Sequence, residues 1–505
     1  MTQNTDRIGW GRIGRALFGP AFMAPMGLWA SNAGRFVDVA VVLAAGSAVL
    51  LIGTLVTRLA GPRHVGHLVA AQAATLVFWS WKIVPYEWFN SGTIDVTAGI
   101  ATLLAAVWVG SHLRSFEWLP TVLGTAIGVT ALSMAVTGFF GDQASVAASA
   151  VQPPESMVGV SAGTDILLFV VDGYTSPYIL NRDFGFDSTG TAEALEASGF
   201  DVFPEAWANY SYTIDSIPSL LQLDYLDLSG SDLETGPPPG FGRGLIAGDT
   251  GLMAWLSDIG YRTTKFESGW EDDRCGKVDR CIRSSRVVGL TGWILWRRTP
   301  FRAIAGGRLV HPYPATALSV LDQLPGVVSE ASSNGQSDFI LAHIVSPHPP
   351  YALSADCLVD APFGDPEAGP PGVGDDLAER QERMGYTRQV ACVNTHLEAL
   401  ARMVEATDMT VLVTGDHGSE IRGQVARHPD TWTEEDLTER FGIFVAVRTP
   451  DGCHVSEDTL LNVAREVIGC ALSVELPILE DRYYASIPDG AGLAEVTEKL
   501  DPAKP

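Results

Sequence analysis

The chain has 505 residues, 46% of them hydrophobic, and a formal net charge of -26, a length that leaves room for roughly two to four domains. The charge is unevenly spread: the first 150 residues carry eight Lys/Arg against six Asp/Glu, a net of +2, and the remainder carries -28. An acidic remainder without Lys/Arg runs excludes a nucleic-acid binder, because affinity for a phosphate backbone comes from clustered basic side chains.

Five apolar stretches fill the start of the chain, at 16–34, 36–57, 65–81, 93–111 and 118–141. The second and fifth have the length a helix needs to cross a bilayer, the third and fourth are marginal, and Pro20 and Pro25 weaken the first. Apolar segments that keep recurring to residue 141 do not fit a cleaved signal peptide. With five spans and the N-terminus inside, Arg7, Arg12, Arg15, Arg58, Arg63 and Arg114 fall on the cytoplasmic side, and only Arg35 and Lys82 fall outside. That bias places everything after the last span outside. The expectation is a multi-pass cell-membrane protein with a helical domain over 1–141, a Pro- and small-residue-rich linker over 142–163, an extracytoplasmic domain over 164–490 and a flexible tail over 491–505.

Past the linker, three short apolar runs end in residues able to bind metal or phosphate. DILLFVV (165–171) runs into Asp172, FILAHIV (339–345) into Ser346-Pro347-His348, and MTVLVTG (409–415) into Asp416-His417. Runs of this kind predict strands buried on both faces of a largely parallel sheet in an α/β domain, where ligands bind at the carboxyl ends of strands. Before the third run, Tyr386, Val390, Val393, Leu397, Leu400 and Val404 form one helical stripe facing the core. His396 lies beside that stripe and reads as a packed or solvated histidine.

The six cysteines (275, 281, 357, 392, 453 and 470) include no CxxC pair and no zinc spacing. Cys275 and Cys281 can close locally if the domain lies outside. The others can pair as Cys357 with Cys392 and Cys453 with Cys470, a connectivity the spacing leaves open. Residues 289–304, GLTGWILWRRTPFRAI, set Trp293, Trp296 and Phe301 beside Arg297, Arg298 and Arg302. This reads either as a membrane-facing segment or as an ordinary helix.

Asp172, Asp416 and His417 at neighbouring strand ends make a hard, carboxylate-rich donor set suited to Mg, Mn or Zn. A nucleophile candidate lies in NYSYTIDSIPSLL (209–221), where Thr213 opens an apolar stretch with Pro218 near its start. Free N–H groups at a helix N-terminus favour an anion there, and Thr213 or Ser216 can equally serve as a simple N-cap.

With VVDGY (170–174), NYSYTIDSIPSLL (209–221), HIVSPHPPY (343–351) and VTGDHGSE (413–420) in this order, residues 165–486 resemble the alkaline phosphatase superfamily. The likeness is to its sulfatase-like branch, which includes lipoteichoic acid synthases and phosphoethanolamine transferases. The resemblance implies that Asp172, Thr213, Asp416 and His417 hold a divalent metal (Mn, Zn or Mg), with Thr213 as covalent nucleophile. It also implies that His348 faces the substrate and that His428 contacts substrate or a second metal. The implied activity is a membrane-anchored, metal-dependent transferase or hydrolase acting on a phosphate-linked envelope lipid or glycan. Two alternatives stand beside it: a sulfuric-ester hydrolase, and a non-catalytic envelope binding protein. The C/S-x-P-x-R motif of true sulfatases is incomplete here, since Ser216-Ile-Pro218-Ser-Leu220 lacks the Arg, and Val171 replaces one of the paired aspartates.

Overall fold

The computed structural model describes residues 152–226, 242–283 (without 271, 272 and 274), 312–363, and 376–501 (without 451 and 489–491). The apolar stretches within 1–141, the linker up to residue 151 and the aromatic segment 289–304 lie outside them. Among the described residues no helix is long and apolar enough to cross a membrane.

The strands are β1 (Ile166–Val171), β2 (Asp201–Trp207), β3 (Arg262–Phe266), β4 (Arg280–Ile282), β5 (Asp338–Ile344), β6 (Tyr351–Leu353), β7 (Val359–Phe363), β8 (Thr410–Thr414), β9 (Gly442–Arg448), β10 (Tyr484–Ser486) and β11 (Leu493–Glu495). Seven form one sheet in the order β2-β9-β8-β1-β5-β3-β4, and the remainder make two hairpin-like pairs, β6-β7 and β10-β11. The five strands from β8 to β4 are parallel, and β9 runs antiparallel to both β8 and β2. The three runs singled out in the sequence are therefore the adjacent central strands β8, β1 and β5.

Of the helices among the described residues, five bear on the site and its cores: α1 (Thr213–Gln222), α2 (Pro312–Asn334), α3 (Asp376–Val404), α4 (Glu434–Phe441) and α5 (Leu460–Leu472). Because side chains alternate along a strand, Leu167, Phe169 and Val171 enter one core with Val328 of α2 and Val390 and Leu397 of α3. Ile166, Leu168 and Val170 enter the other with Leu220 and Leu221 of α1 and Val463 and Val467 of α5. Each such fully buried side chain contributes about 1.5–3 kcal/mol. All six residues of the helical stripe from Tyr386 to Val404 are buried on α3.

Two boundaries differ from the sequence reading. The end of the expected linker belongs to the domain: Met157 is buried in the second core, and the Ala162 N–H donates to the Ile259 carbonyl at 3.2 Å. Within the expected flexible tail, residues 493–500 are packed on the domain: β11 pairs with β10, and Val496 and Leu500 are buried against Trp207 and Phe441. Apolar residues spaced for one contact surface escape a reading that weighs only prolines and polar content. All six cysteines are joined, as Cys275–Cys281, Cys357–Cys392 and Cys453–Cys470.

Candidate active site

Sheet register brings the first two acidic residues together. Val170 of β1 pairs with Thr414 of β8, so Asp172 and Asp416, two positions beyond, leave the sheet side by side. Asp172 follows directly on β1, its N–H donating to the Ile344 carbonyl at 3.0 Å, and its own carbonyl accepts the His348 N–H at 3.1 Å. Gly173 then turns at φ 73°, a conformation that favours glycine, and its N–H donates to Asp416 Oδ1 at 3.0 Å. The His417 N–H donates to that same oxygen at 3.0 Å. Gly418 is equally constrained, because a Cβ there would stand 2.0 Å from the Glu439 carbonyl oxygen.

Thr213 is the first residue of α1, and its hydroxyl does not cap the helix. The N-cap is Tyr212, without a side-chain cap, and Thr213 Oγ lies 3.1 Å from His417 Nε2. His417 Nδ1 is 2.9 Å from the Gly418 carbonyl. A carbonyl only accepts, so Nδ1 carries the proton and neutral His417 presents a lone pair on Nε2. That nitrogen is 3.5 Å from Asp172 Oδ1 and 3.6 Å from Asp416 Oδ2. Ser216, the other hydroxyl candidate, is engaged elsewhere, donating to the Asp416 carbonyl at 2.7 Å.

His343, not singled out in the sequence, joins the group. It sits next to the last residue of β5 with Nε2 3.6 Å from Asp172 Oδ2, too far for a hydrogen bond. Asp172, His343 and Asp416 each bring a potential ligand atom within 4.8 Å of the others. Its signal was a lone polar side chain in an otherwise apolar buried run. His348 lies nearby, its ring 6.4 Å from that of His417, with Nδ1 2.7 Å from the Pro349 carbonyl. His428 is half-exposed, accepts the Asp430 N–H on Nδ1 at 3.3 Å, and caps the short turn Pro429–Thr431.

The electrostatics explain what this arrangement can hold. Burial pushes the Asp172 carboxyl up, but the imidazoles of His348 and His343, whose own pKa values are raised, outweigh it and hold the group well below the usual carboxylate range. Burial, with Arg440, pushes the His417 imidazole down against the pull of Asp416 and Asp172, which keeps it in the neutral, ligating form. Burial opposes the charged form of His348, yet Asp172 and Glu420 raise its pKa. Asp172 Oδ1 and Oδ2, Asp416 Oδ2 and His343 Nε2 are buried without hydrogen-bond partners. Buried polar atoms are nearly always satisfied. A divalent cation fits this set of carboxylates, imidazoles and a hydroxyl, and it would satisfy all of these atoms at once.

A sequence model of the sulfatase family, described as Sulfatase, matches residues 165–443, and the fold and the order of strand-end residues are of that type. The chain belongs to this family, the sulfatase-like branch of the alkaline phosphatase superfamily. Among solved structures it is similar to the C-terminal periplasmic domain of EcEptC from Escherichia coli in complex with zinc, with 14% identity, a TM-score of 0.44, and 69% of this chain and 95% of that chain covered. It is also similar to the integral membrane protein lipooligosaccharide phosphoethanolamine transferase A from Neisseria meningitidis, with 13% identity, a TM-score of 0.40, and 91% and 95% covered. The lipoteichoic acid synthase LtaP from Listeria monocytogenes is a third, with 12% identity, a TM-score of 0.38, and 67% and 80% covered. No match was found among curated proteins.

Proposed function

We propose that the chain is a membrane-anchored, divalent-metal-dependent phosphotransferase or phosphohydrolase that acts on a phosphate-linked envelope lipid or glycan through a phospho-Thr213 intermediate. The observation that carries this reading is Thr213 Oγ at 3.1 Å from His417 Nε2, beside buried carboxylate oxygens that lack donors. Asp172, Thr213, Asp416 and His417, with His343 added, would hold the cation. When bound it would neutralise the carboxylates and favour the ionised hydroxyl. Thr213 Oγ forms the bond to phosphorus as the bond from phosphorus to the leaving oxygen breaks. His348, protonated on Nε2, gives that oxygen a proton, and the threonine proton passes to solvent. Water or an acceptor alcohol then takes the phosphoryl group from Thr213.

The recurring apolar segments of 1–141 and their Arg bias support an anchor with the domain outside. Three disulfides in one domain also suit an oxidising compartment. Sulfuric-ester hydrolysis is less favoured, because Ser216 is spent on the Asp416 carbonyl and no Cys stands in this segment. The test is intact-mass and peptide analysis of full-length protein incubated with envelope lipids. The expected result is a phosphate-containing adduct on Thr213 that is absent from Thr213→Ala. An unmodified Thr213 in protein that turns over a phosphoester, or full activity in Thr213→Ala, would overturn the reading. Cation and lipid binding without any turnover would favour a binding protein.

A further inference from the structure

The Thr213–His417 contact joins residues 204 positions apart, so the segment entering α1 and the turn after β8 must be held together by something other than the chain. One side chain touches both. Arg440, in the last turn of α4, is among the largest fully buried side chains among the described residues. Its Nε donates to the Ser211 carbonyl at 2.6 Å, and its Nη1 donates to the Gly418 carbonyl at 3.1 Å. Nη1 also reaches Glu420 Oε2 at 3.5 Å, and the guanidinium lies 4.9 Å from the centre of the Tyr212 ring.

The main chain reinforces this bridge: the Gly418 N–H donates to the Arg440 carbonyl at 2.8 Å and the Ala208 N–H to the Phe441 carbonyl at 2.7 Å. Glu439 fixes the following stretch, accepting from Ser419 Oγ at 2.6 Å and the Ile421 N–H at 2.8 Å, with Arg422 Nε at 3.2 Å. The Gly418 carbonyl is the same acceptor that orients His417 through Nδ1. A guanidinium so deeply buried is costly to desolvate, and packing alone would be served better by an apolar side chain. With Nε and Nη1 on two different atoms of a rigid plane, the guanidinium holds the two carbonyls at a fixed spacing, whereas the donors of an ammonium all rotate about one atom.

We infer that Arg440 is a positioning residue: by bridging the Ser211 and Gly418 carbonyls it sets the spacing between the Thr213 hydroxyl and the His417 ligand nitrogen. This rests on the reading of Thr213 as nucleophile and His417 as ligand. Arg440 touches neither reacting atom, and it acts through the backbone of the two turns that carry them.

The test uses full-length Arg440→Lys and Arg440→Gln in detergent. Two measurements are made: competition for zinc ions against a chromophoric chelator, and turnover of a p-nitrophenyl phosphodiester. Partners outside the ligand shell set affinity or rate by about 10–100-fold, so zinc affinity and kcat should each fall within that range. KM should stay within about threefold, because the bridge acts on geometry rather than on substrate contact. Lys should rescue neither, since it restores charge and not the fork. Folded variants with zinc affinity and kcat near wild type would overturn the inference. Rescue by Lys would also overturn it, as would failure of both variants to fold, which would make Arg440 a core residue only. If the wild type neither labels nor turns over, the nucleophile reading fails by itself, and the zinc competition still judges Arg440 because it reads His417 placement without any chemistry.

Discussion

Two buried clusters of charge lie close enough to feel one another, Asp273 acting on His343 through space, and they are built in opposite ways. In the first, Lys265 Nζ is 2.5 Å from Asp273 Oδ1, and the Ser268 N–H donates to Asp273 Oδ2. Burial raises the Asp273 carboxyl and the Lys265 ammonium more than returns it, leaving its pKa below the usual value. In the second, Asp172 and Asp416 face His343 and His417 at distances of 3.5–3.6 Å, and several of their atoms have no donor. The first cluster is complete as folded, and the second has donors for a further cation. That difference separates charge kept for the fold from charge kept for chemistry.

Breaking the complete cluster should have the largest effect on stability. Lys265→Met leaves Asp273 buried without its counter-ion, and losing one partner of such a pair costs about 3–5 kcal/mol. Urea unfolding of the cation-free protein would show it as a lower midpoint with an unchanged slope. A stability loss below about 1 kcal/mol would mean that water reaches Asp273 and that the pair is not buried in solution.

The incomplete cluster should respond in the opposite sense. Asp416→Asn keeps an oxygen to accept from Gly173 and His417 and removes one of two crowded carboxylate charges. Cation-free protein should therefore be unchanged or slightly more stable, whereas zinc affinity should drop by more than about 100-fold, beyond the range of an outer partner. A cation-free protein that loses stability while keeping its zinc affinity would place Asp416 with the structural charges.

How far each cluster was legible follows from where its residues lie. Asp172, Asp416 and His417 each end a near-continuous apolar run, and that pattern exposes both the strand and the residue that leaves it. His343 was hidden by the same pattern, because it sits inside a run whose apolar character was the signal. Arg440 has no local signature, since its partners, Ser211 and Gly418, come from distant segments and meet only through the sheet order. The antiparallel edge β2-β9 was missed for a related reason: β2 is half exposed and carries Asp201, Pro204 and Glu205, so it shows neither a buried run nor clean alternation. The final strand and helix, 493–500, looked like a tail because their few apolar residues find partners only in tertiary structure.

Asp215 lies between the two extremes and sharpens the comparison through pH. It is buried two residues after Thr213, and burial pushes its carboxyl up to about 6 from 3.8, opposed only by the hydroxyl of Ser486, which donates to Oδ2 at 2.7 Å. The folded state therefore binds more protons than the unfolded state between about pH 4 and 6, and this group's contribution to stability falls as pH rises through that window. Above it the ionised carboxylate costs on the order of 2–3 kcal/mol. Asp215→Asn should be more stable than wild type at pH 7 and lose that advantage towards pH 4, measured by urea unfolding of cation-free protein. Equal pH profiles for the two proteins would show that the carboxylate is solvated.

The smallest effect is expected where one arginine faces two carboxylates of different exposure. Arg262 Nε meets Asp338 Oδ1 at 2.6 Å with the Asp338 side chain 1% exposed, and Arg262 Nη1 meets Glu330 Oε1 at 3.2 Å with the Glu330 side chain 45% exposed. Asp338 also accepts from the Asn334 amide at 2.6 Å, so its charge is held by two donors at the start of β5. Glu330 is shared with Arg280 at 2.7 Å, but water and salt compete freely for an exposed pair. Asp338→Asn should lower the urea midpoint measurably, whereas Glu330→Gln should leave it within error at moderate salt and differ from wild type only at low ionic strength. A Glu330→Gln loss that persists in high salt would show that the Arg262–Glu330–Arg280 network is shielded from solvent, and exposure would then no longer separate structural charge from surface charge in this domain.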